Sequence, residues 1–314
     1  MPFADLQRAW PLEGRARLVR EVWAWNFEQE FGALTCAALQ PSSGGTGAML
    51  ALDTEFPGFL RETPWTKERA ATYEALRQNV DQLWPIQIGV AVAGSDGNVR
   101  GVWSFNMRFD ADIDLHSKES VAFLQIAGID FPRHRVEGIQ AAELGRRLGS
   151  SALVGPHAPC WLTFSGQYDL GYLMKLLTIG MPLPVDVSSF DGMVSMYIPR
   201  RCDLREMLPC GSLESLGEKL GVKRYGAAHT AGSDALLTLE LYLHLVLTRT
   251  QEKMWSLSQW HGWGIGGDRM WNSYYGAALG WSPDRLLLSA SADWSYLRSV
   301  AFGHLQGSAV PWPL

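Results

Sequence analysis

Apolar positions recur along this chain with two periods, and the switches between them outline alternating strands and helices. The run Ala48-Met49-Leu50-Ala51-Leu52 leads into Asp53-Thr54-Glu55 and stops at Pro57-Gly58, which predicts a buried strand over 48–56. Upstream, Leu18, Val22, Trp23 and Phe27 fall on one stripe and predict a helix over 15–34, followed by a Ser/Gly-rich loop at 42–47. Amphipathic spacing predicts a helix over 67–83. Strands over 86–93 and 99–107 are joined by Gly94-Ser95-Asp96-Gly97, which has hairpin chemistry. Helices are expected over 117–127 and 137–149, and a short strand, Trp161 to Phe164, runs into a helix beginning near Tyr168. Two more helices are expected over 212–220 and 235–249. Three early strands followed by alternation predict an α/β domain with a mixed sheet flanked by helices. No linker composition interrupts residues 15–250, and the Trp- and Gly-rich tail from 251 is expected to pack back to about residue 280. One domain over 15–280 is therefore expected, with 1–14 and 281–314 as terminal extensions of no assigned role.

Bulk composition narrows the function classes. The 314 residues are 47% apolar and 19% charged, an ordinary globular balance. A net charge of −5 excludes a general, charge-driven nucleic-acid binder, so any such contact is local. The apolar stretch Ala235 to Leu247 carries Glu240 and His244 and is too short to span a bilayer, so no membrane role is expected. Cys36, Cys160, Cys202 and Cys210 form no Cys-x-x-Cys pair; they are read as reduced thiols of a cytosolic or nuclear protein. Trp255, Trp260, Trp263 and Trp271 are read as packing residues.

The candidate chemistry is acidic. On a strand, residues i and i+2 share a face, so Asp53 and Glu55 leave the core strand together. Like charges this close repel, and burial sharpens the penalty, so a cation between them is expected. Asp169 lies where a strand gives way to a helix, and Asp234 opens the last long helix, with His229 in the loop five residues ahead of it. Taken singly, each has a plainer reading: a salt-bridged edge pair, a helix cap at Asp169, and a dipole-favoured acid at Asp234. Together, Asp53, Glu55, Asp169 and Asp234 would form an all-oxygen site for Mg²⁺ or Mn²⁺, leaving His229 free as a general base. Two ions between four carboxylates suit in-line attack of water on a phosphodiester. Phe56 and Ser165 are candidate substrate contacts, with core packing an equal reading for Phe56. Asp203 is read as structural.

Three motifs carry a resemblance: Asp-Thr-Glu-Phe-Pro-Gly at 53–58, Tyr-Asp-x-x-Tyr-Leu at 168–173 and Ala-Gly-Ser-Asp-x-Leu-Leu-Thr at 231–238. In that order they resemble the Pop2/Caf1-type deadenylases, exonuclease subunits of the CCR-NOT complex in the DEDDh group of the ribonuclease H-like superfamily. Weaker likeness at Glu21-Val22-Trp23, Asn79-Val80-Asp81, Ile86-Gln87-Ile88-Gly89 and 212–224 extends it over roughly residues 18–250. The resemblance implies a ribonuclease H-like fold and 3′→5′ removal of poly(A) tails with release of 5′-AMP. It places Asp53, Glu55, Asp169 and Asp234 on the metal ligands and His229 on the general base. It further implies poly(A) RNA, a scaffold subunit and a second deadenylase subunit as partners, and a cytoplasmic and nuclear location.

The chain departs from the family pattern in places. Ser165 stands where the family usually has His, and Thr230 where it usually has Gln. Cys210-Gly211-Ser212-Leu213 keeps one of two customary glycines, and 184–201, near the scaffold-docking region of relatives, matches poorly. No departure removes a ligand. The alternative expectation is a non-catalytic or weakly active adaptor with the same fold; a third keeps the chemistry and changes the polymer.

Overall fold

The computed structural model describes residues 19–41, 47–64, 66 and 68–258. The chain divides into two compact units, Met1–Thr250 and Gln251–Leu314, and the elements below belong to the first, apart from the last eight residues of the final helix. The expected limits at 15 and 280, both extensions and the tail tryptophan side chains lie outside what is described.

Six strands make one mixed sheet: β1 (Val19–Val22), β2 (Met49–Glu55), β3 (Gln87–Ala93), β4 (Val99–Asn106), β5 (Cys160–Thr163) and β6 (Arg201–Asp203). Their spatial order is β1-β4-β3-β2-β5-β6. The β2-β3-β4 meander is antiparallel, while β1 on β4, β5 on β2 and β6 on β5 are parallel. The helices are α1 (Phe27–Leu39), α2 (Arg69–Gln82), α3 (Lys118–Ile126), α4 (Phe131–Glu137), α5 (Ala141–Gly149), α6 (Gln167–Leu177), α7 (Val187–Tyr197), α8 (Leu213–Leu220) and α9 (Ala231–Ser258). This is the mixed sheet flanked by helices that the pattern predicts.

Alternation along β2 separates two cores. Leu50 and Leu52 join Phe31, Leu76, Val90, Trp103 and Tyr172 on one face. Ala51 joins Ala91, Val102, Leu236, Leu239 and Leu243 on the other, beneath α9. Asp53 and Glu55 share the parity of Ala51, so both leave the sheet on the α9 side.

The structure corrects the expected helix over 15–34. Val19–Val22 is a strand, in register with β4 from Val19↔Val102 to Val22↔Phe105. Helix begins only at Phe27. Val22 and Phe27 sit in the same core, so their spacing imitates a helical stripe. The open edge of β4 decides the outcome, and branched Val19 and Val22 suit it. The helix expected over 137–149 is also corrected. Ile139 bridges Met107, and helix resumes at Ala141. Strand β6 and helices α4 and α7 carried no local signal strong enough to read.

One close approach positions the site. Gly89 pairs directly with Asp53. A Cβ on Gly89 would collide with the Ala231 carbonyl, and one on Gly232 with the Ser104 side chain. Two bare Cα positions thus let the first turn of α9 touch the sheet beside Asp53. The Ala231 N–H donates to Gln87 Oε1 at 3.2 Å. Gln87 donates to Asn106 Oδ1 at 2.7 Å, and Asn106 donates to Glu21 Oε2 at 2.7 Å. The buried Gln87 and Asn106 amides fix the helix start, because their polar groups would be costly to leave unpaired. Gly89→Ala is expected to lower unfolding stability by about 1–3 kcal/mol, as overpacking does. Urea denaturation checks it, and wild-type stability would show that α9 does not depend on this contact.

Candidate active site

Three rigid pieces carry the acids. Asp53 and Glu55 close β2, opposite Gly89 and Gln87. Asp169 lies in the first turn of α6 and accepts a hydrogen bond from the Thr54 hydroxyl at 2.6 Å. Asp234 lies in the first turn of α9. Asp169 and Asp234 are buried, while Asp53 and Glu55 are half-buried.

The turn before Asp169 is held from below. Ser165 is exposed and adopts φ 55°, a left-handed conformation unfavourable for a side-chain-bearing residue. Asp203 secures that turn by accepting from the Ser165 N–H at 2.9 Å, the Gly166 N–H at 2.8 Å and the Thr163 hydroxyl at 3.2 Å. Asp203 is therefore a structural brace, consistent with its reading from the sequence. Phe56 stacks on Tyr168 at 5.2 Å with 15° between planes, and it also meets Phe59 and Tyr172. Its ring belongs to a half-buried aromatic cluster under the strand end.

His229 also adopts a left-handed backbone, φ 60°. Its N–H donates to Asp234 Oδ2 at 3.1 Å, which fixes the loop to the helix. Its imidazole is exposed, and one ligand atom each from Glu55, His229 and Asp234 lie within 4.8 Å of one another. Among the described residues this is the one trio of metal-ligand side chains so closely gathered. Asp53 and Asp169 stand beside the trio rather than inside it, and the electrostatics register their proximity.

Asp53 is pushed well above the usual carboxylate range, first by lost hydration and then by the charges of Asp169, Asp234 and Glu55. Glu55 is pushed up to about 8 by lost hydration, then by Asp234 and Asp169. Asp169 rises to about 7 through burial, partly opposed by the Thr54 hydroxyl and reinforced by Asp203. The opposing charge for Asp53 and Glu55 is Arg224. It is ion-paired with Asp234 and Glu214 and donates to the Ser233 hydroxyl at 3.2 Å. One guanidinium against four carboxylates leaves a deficit of positive charge in an oxygen-rich pocket. The donor set fits hard divalent cations, which take carboxylate oxygens.

Sequence reasoning missed Arg224 and Thr54 as parts of the site. Arg224 ends the weakly matched stretch 212–224, ten residues ahead of Asp234, and nothing local marks its partner. Thr54 carries no signal of its own, because alternation points it away from the acid pair, toward α6.

The sheet order and the acids at its strand and helix ends define a ribonuclease H-like α/β nuclease. No protein-family model matches the chain. A probable CCR4-associated factor 1 homolog 10 of Arabidopsis thaliana is 36% identical over 237 residues, covering 71% of this chain and 83% of that protein. The poly(A) ribonuclease pop2 of Schizosaccharomyces pombe is 31% identical over 267 residues, covering 81% of this chain and 78% of its own. The solved structure of S. pombe Pop2p in its Mg²⁺- and Mn²⁺-bound form superposes with TM-score 0.67 and 32% identity, over 73% of this chain and 92% of that one. Yeast CAF1, co-crystallised with the NOT1 MIF4G domain, gives TM-score 0.60 and 28% identity over 74% and 89% of the two chains. The chain belongs to the Caf1/Pop2 deadenylase family.

The raised carboxyls set a pH dependence. Glu55 and Asp169 hold protons in the folded, metal-free protein at pH values where an unfolded chain, near 4, has released them. Their contribution to stability is full below about pH 4 and is lost as pH rises through about 7 and about 8. In chelator, the melting temperature should therefore fall between about pH 5.5 and about pH 8.5. Saturating Mn²⁺ should largely remove that fall, because ligation holds the carboxylates ionised. Scanning fluorimetry reads both curves; a metal-free melting temperature that rises over this range would contradict the assignment.

Proposed function

We propose that this chain is a metal-dependent 3′→5′ exoribonuclease that shortens poly(A) tails and releases 5′-AMP. The observation that carries the reading is the gathering of Glu55, Asp234 and His229 beside Asp53 and Asp169, at the ends of elements the fold holds rigid. Asp53, Glu55, Asp169 and Asp234 hold two divalent ions, Mg²⁺ or Mn²⁺. When bound, the ions supply Lewis-acid stabilisation of the charge that builds on the phosphate.

The chain's own groups do the rest. His229 sits at the solvent side of the trio and accepts a proton from the attacking water. The new bond joins water oxygen to phosphorus, and the bond to the 3′-oxygen of the preceding nucleotide breaks. That oxygen takes a proton from solvent, leaving a shortened strand with a 3′-hydroxyl and free 5′-AMP. Thr54 keeps Asp169 oriented, and the left-handed turn at His229 is tied to Asp234 through its backbone N–H, with the imidazole near the Glu55 and Asp234 carboxylates. In this reading Ser165, exposed on the turn before α6, touches substrate, and Phe56, stacked on Tyr168, supports the strand end.

Relatives named for association with CCR4, and CAF1 solved with NOT1, support a place in the CCR-NOT complex beside its scaffold and a second deadenylase subunit. Among the described residues no helix is long and apolar enough to cross a membrane. A cytoplasmic and nuclear location follows from this proposed role.

Two variants test the reading on 5′-labelled oligo(A) with Mg²⁺. Asp53→Ala should abolish shortening of the labelled strand while the protein still folds. His229→Ala should slow turnover by about 10²–10⁴-fold, the span of general-base catalysis, while Mn²⁺ affinity by calorimetry stays near wild type. Undiminished cutting by Asp53→Ala would reject the site. Loss of Mn²⁺ binding in His229→Ala would recast the imidazole as a ligand.

A further inference from the structure

Helix α3 lies against the site and has no assigned part in the chemistry. Its start is locked to the segment that follows the acid pair. The Ser117 N–H donates to the Pro57 carbonyl at 2.8 Å, and the Ser117 hydroxyl accepts from the Ser120 N–H at 3.3 Å. Gly58, at φ 95°, leaves no room for a Cβ against the side chains of Ser117 and Ser120. The helix therefore cannot drift from the end of β2. Its inner face is anchored by Leu124, which packs with Phe109 and Ile129.

Phe123 is one turn beyond Ser120 and behaves differently. The residue is 49% exposed, so part of its ring is open to a ligand. It nevertheless meets the His229 imidazole at 4.6 Å between centroids, with 67° between planes. His229 in turn shares the trio with Glu55 and Asp234. An open aromatic surface thus stands one imidazole ring away from the carboxylates. That is within reach of the base of a nucleotide whose phosphate lies among them. A neutral phenyl offers stacking without charge, which every base accepts and a purine, with its larger face, accepts best.

We propose that Phe123 is the specificity-determining platform on which the 3′-terminal adenine stacks, its ring held in a T-shaped contact with His229. This rests on the exonuclease reading and deepens it by naming what holds the terminal base.

The test uses the full chain with Ca²⁺ in place of Mg²⁺, and fluorescence anisotropy with labelled oligo(A), oligo(U) and oligo(A) ending in an abasic nucleotide. Phe123→Leu, which keeps apolar bulk and removes the π-face, should weaken oligo(A) binding by roughly 5- to 150-fold, the span of one base–aromatic stack. It should weaken oligo(U) less, and Phe123→Tyr should restore oligo(A) binding. On the abasic-ended strand, wild type and Phe123→Leu should bind alike. Equal oligo(A) affinity for wild type and Phe123→Leu, or an equal loss on the abasic-ended strand, would overturn the platform. Oligo(A) cutting by wild type with Mg²⁺ is measured alongside; its absence would remove the exonuclease reading itself, and the platform with it.

Discussion

The burial of four carboxylates close to one another, short of hydration and mutually repelling, is the constraint around which this protein is built. Two unit charges about 4 Å apart near a protein surface cost about 4 kcal/mol. Asp53, Glu55, Asp169 and Asp234 crowd closely enough that their charges raise the proton affinity of Asp53 and Glu55. A flexible scaffold would relieve that strain by letting the groups part. Here it is denied, because two acids terminate a central strand and two others occupy the first turns of buried helices. The helix termini help, since an acid in the first turn meets the positive end of the helix dipole. Arg224 supplies further compensation through Asp234. What remains uncompensated is the affinity for a hard cation.

The rigidity has identifiable sources, and most are polar. Gly89 and Gly232 admit the start of α9 to the sheet, and the Glu21-Asn106-Gln87 relay holds it there. Asp203 braces the left-handed turn ahead of Asp169. On the far side, the Asn79 carboxamide accepts from the N–H groups of Leu60 and Arg61 and donates to the Tyr168 hydroxyl. Lys175, buried, donates to the carbonyls of Val80, Asp81 and Leu83 and so completes the end of α2 beneath α6. Hydrophobic cores set the layers; these directional bonds set the position of each acid within its layer. Catalysis on phosphate needs that second kind of accuracy.

Much of this was legible in the chain itself. An apolar run ending in Asp-x-Glu-Phe-Pro-Gly is a buried strand with two acids on one face, and the structure places them so. The long helix after Asp234 was equally plain, although it starts at Ala231, inside the Ala-Gly-Ser-Asp motif, rather than after it. The failures share a cause. Strand β1 exists because β4 offers it an edge, and β6 because β5 does, so neither declares itself in local spacing. Arg224 and Phe123 belong to the same class: each gains meaning from a partner that only folding brings near. Chemistry carried by a residue's own position could be read; chemistry carried by what it faces could not.

The most direct measurement is anomalous diffraction from crystals grown with Mn²⁺. The account predicts two manganese peaks within coordinating distance of the oxygens of Asp53, Glu55, Asp169 and Asp234. A map without peaks among those carboxylates, in crystals whose solution holds abundant manganese, would contradict the claim that their repulsion is resolved by metal.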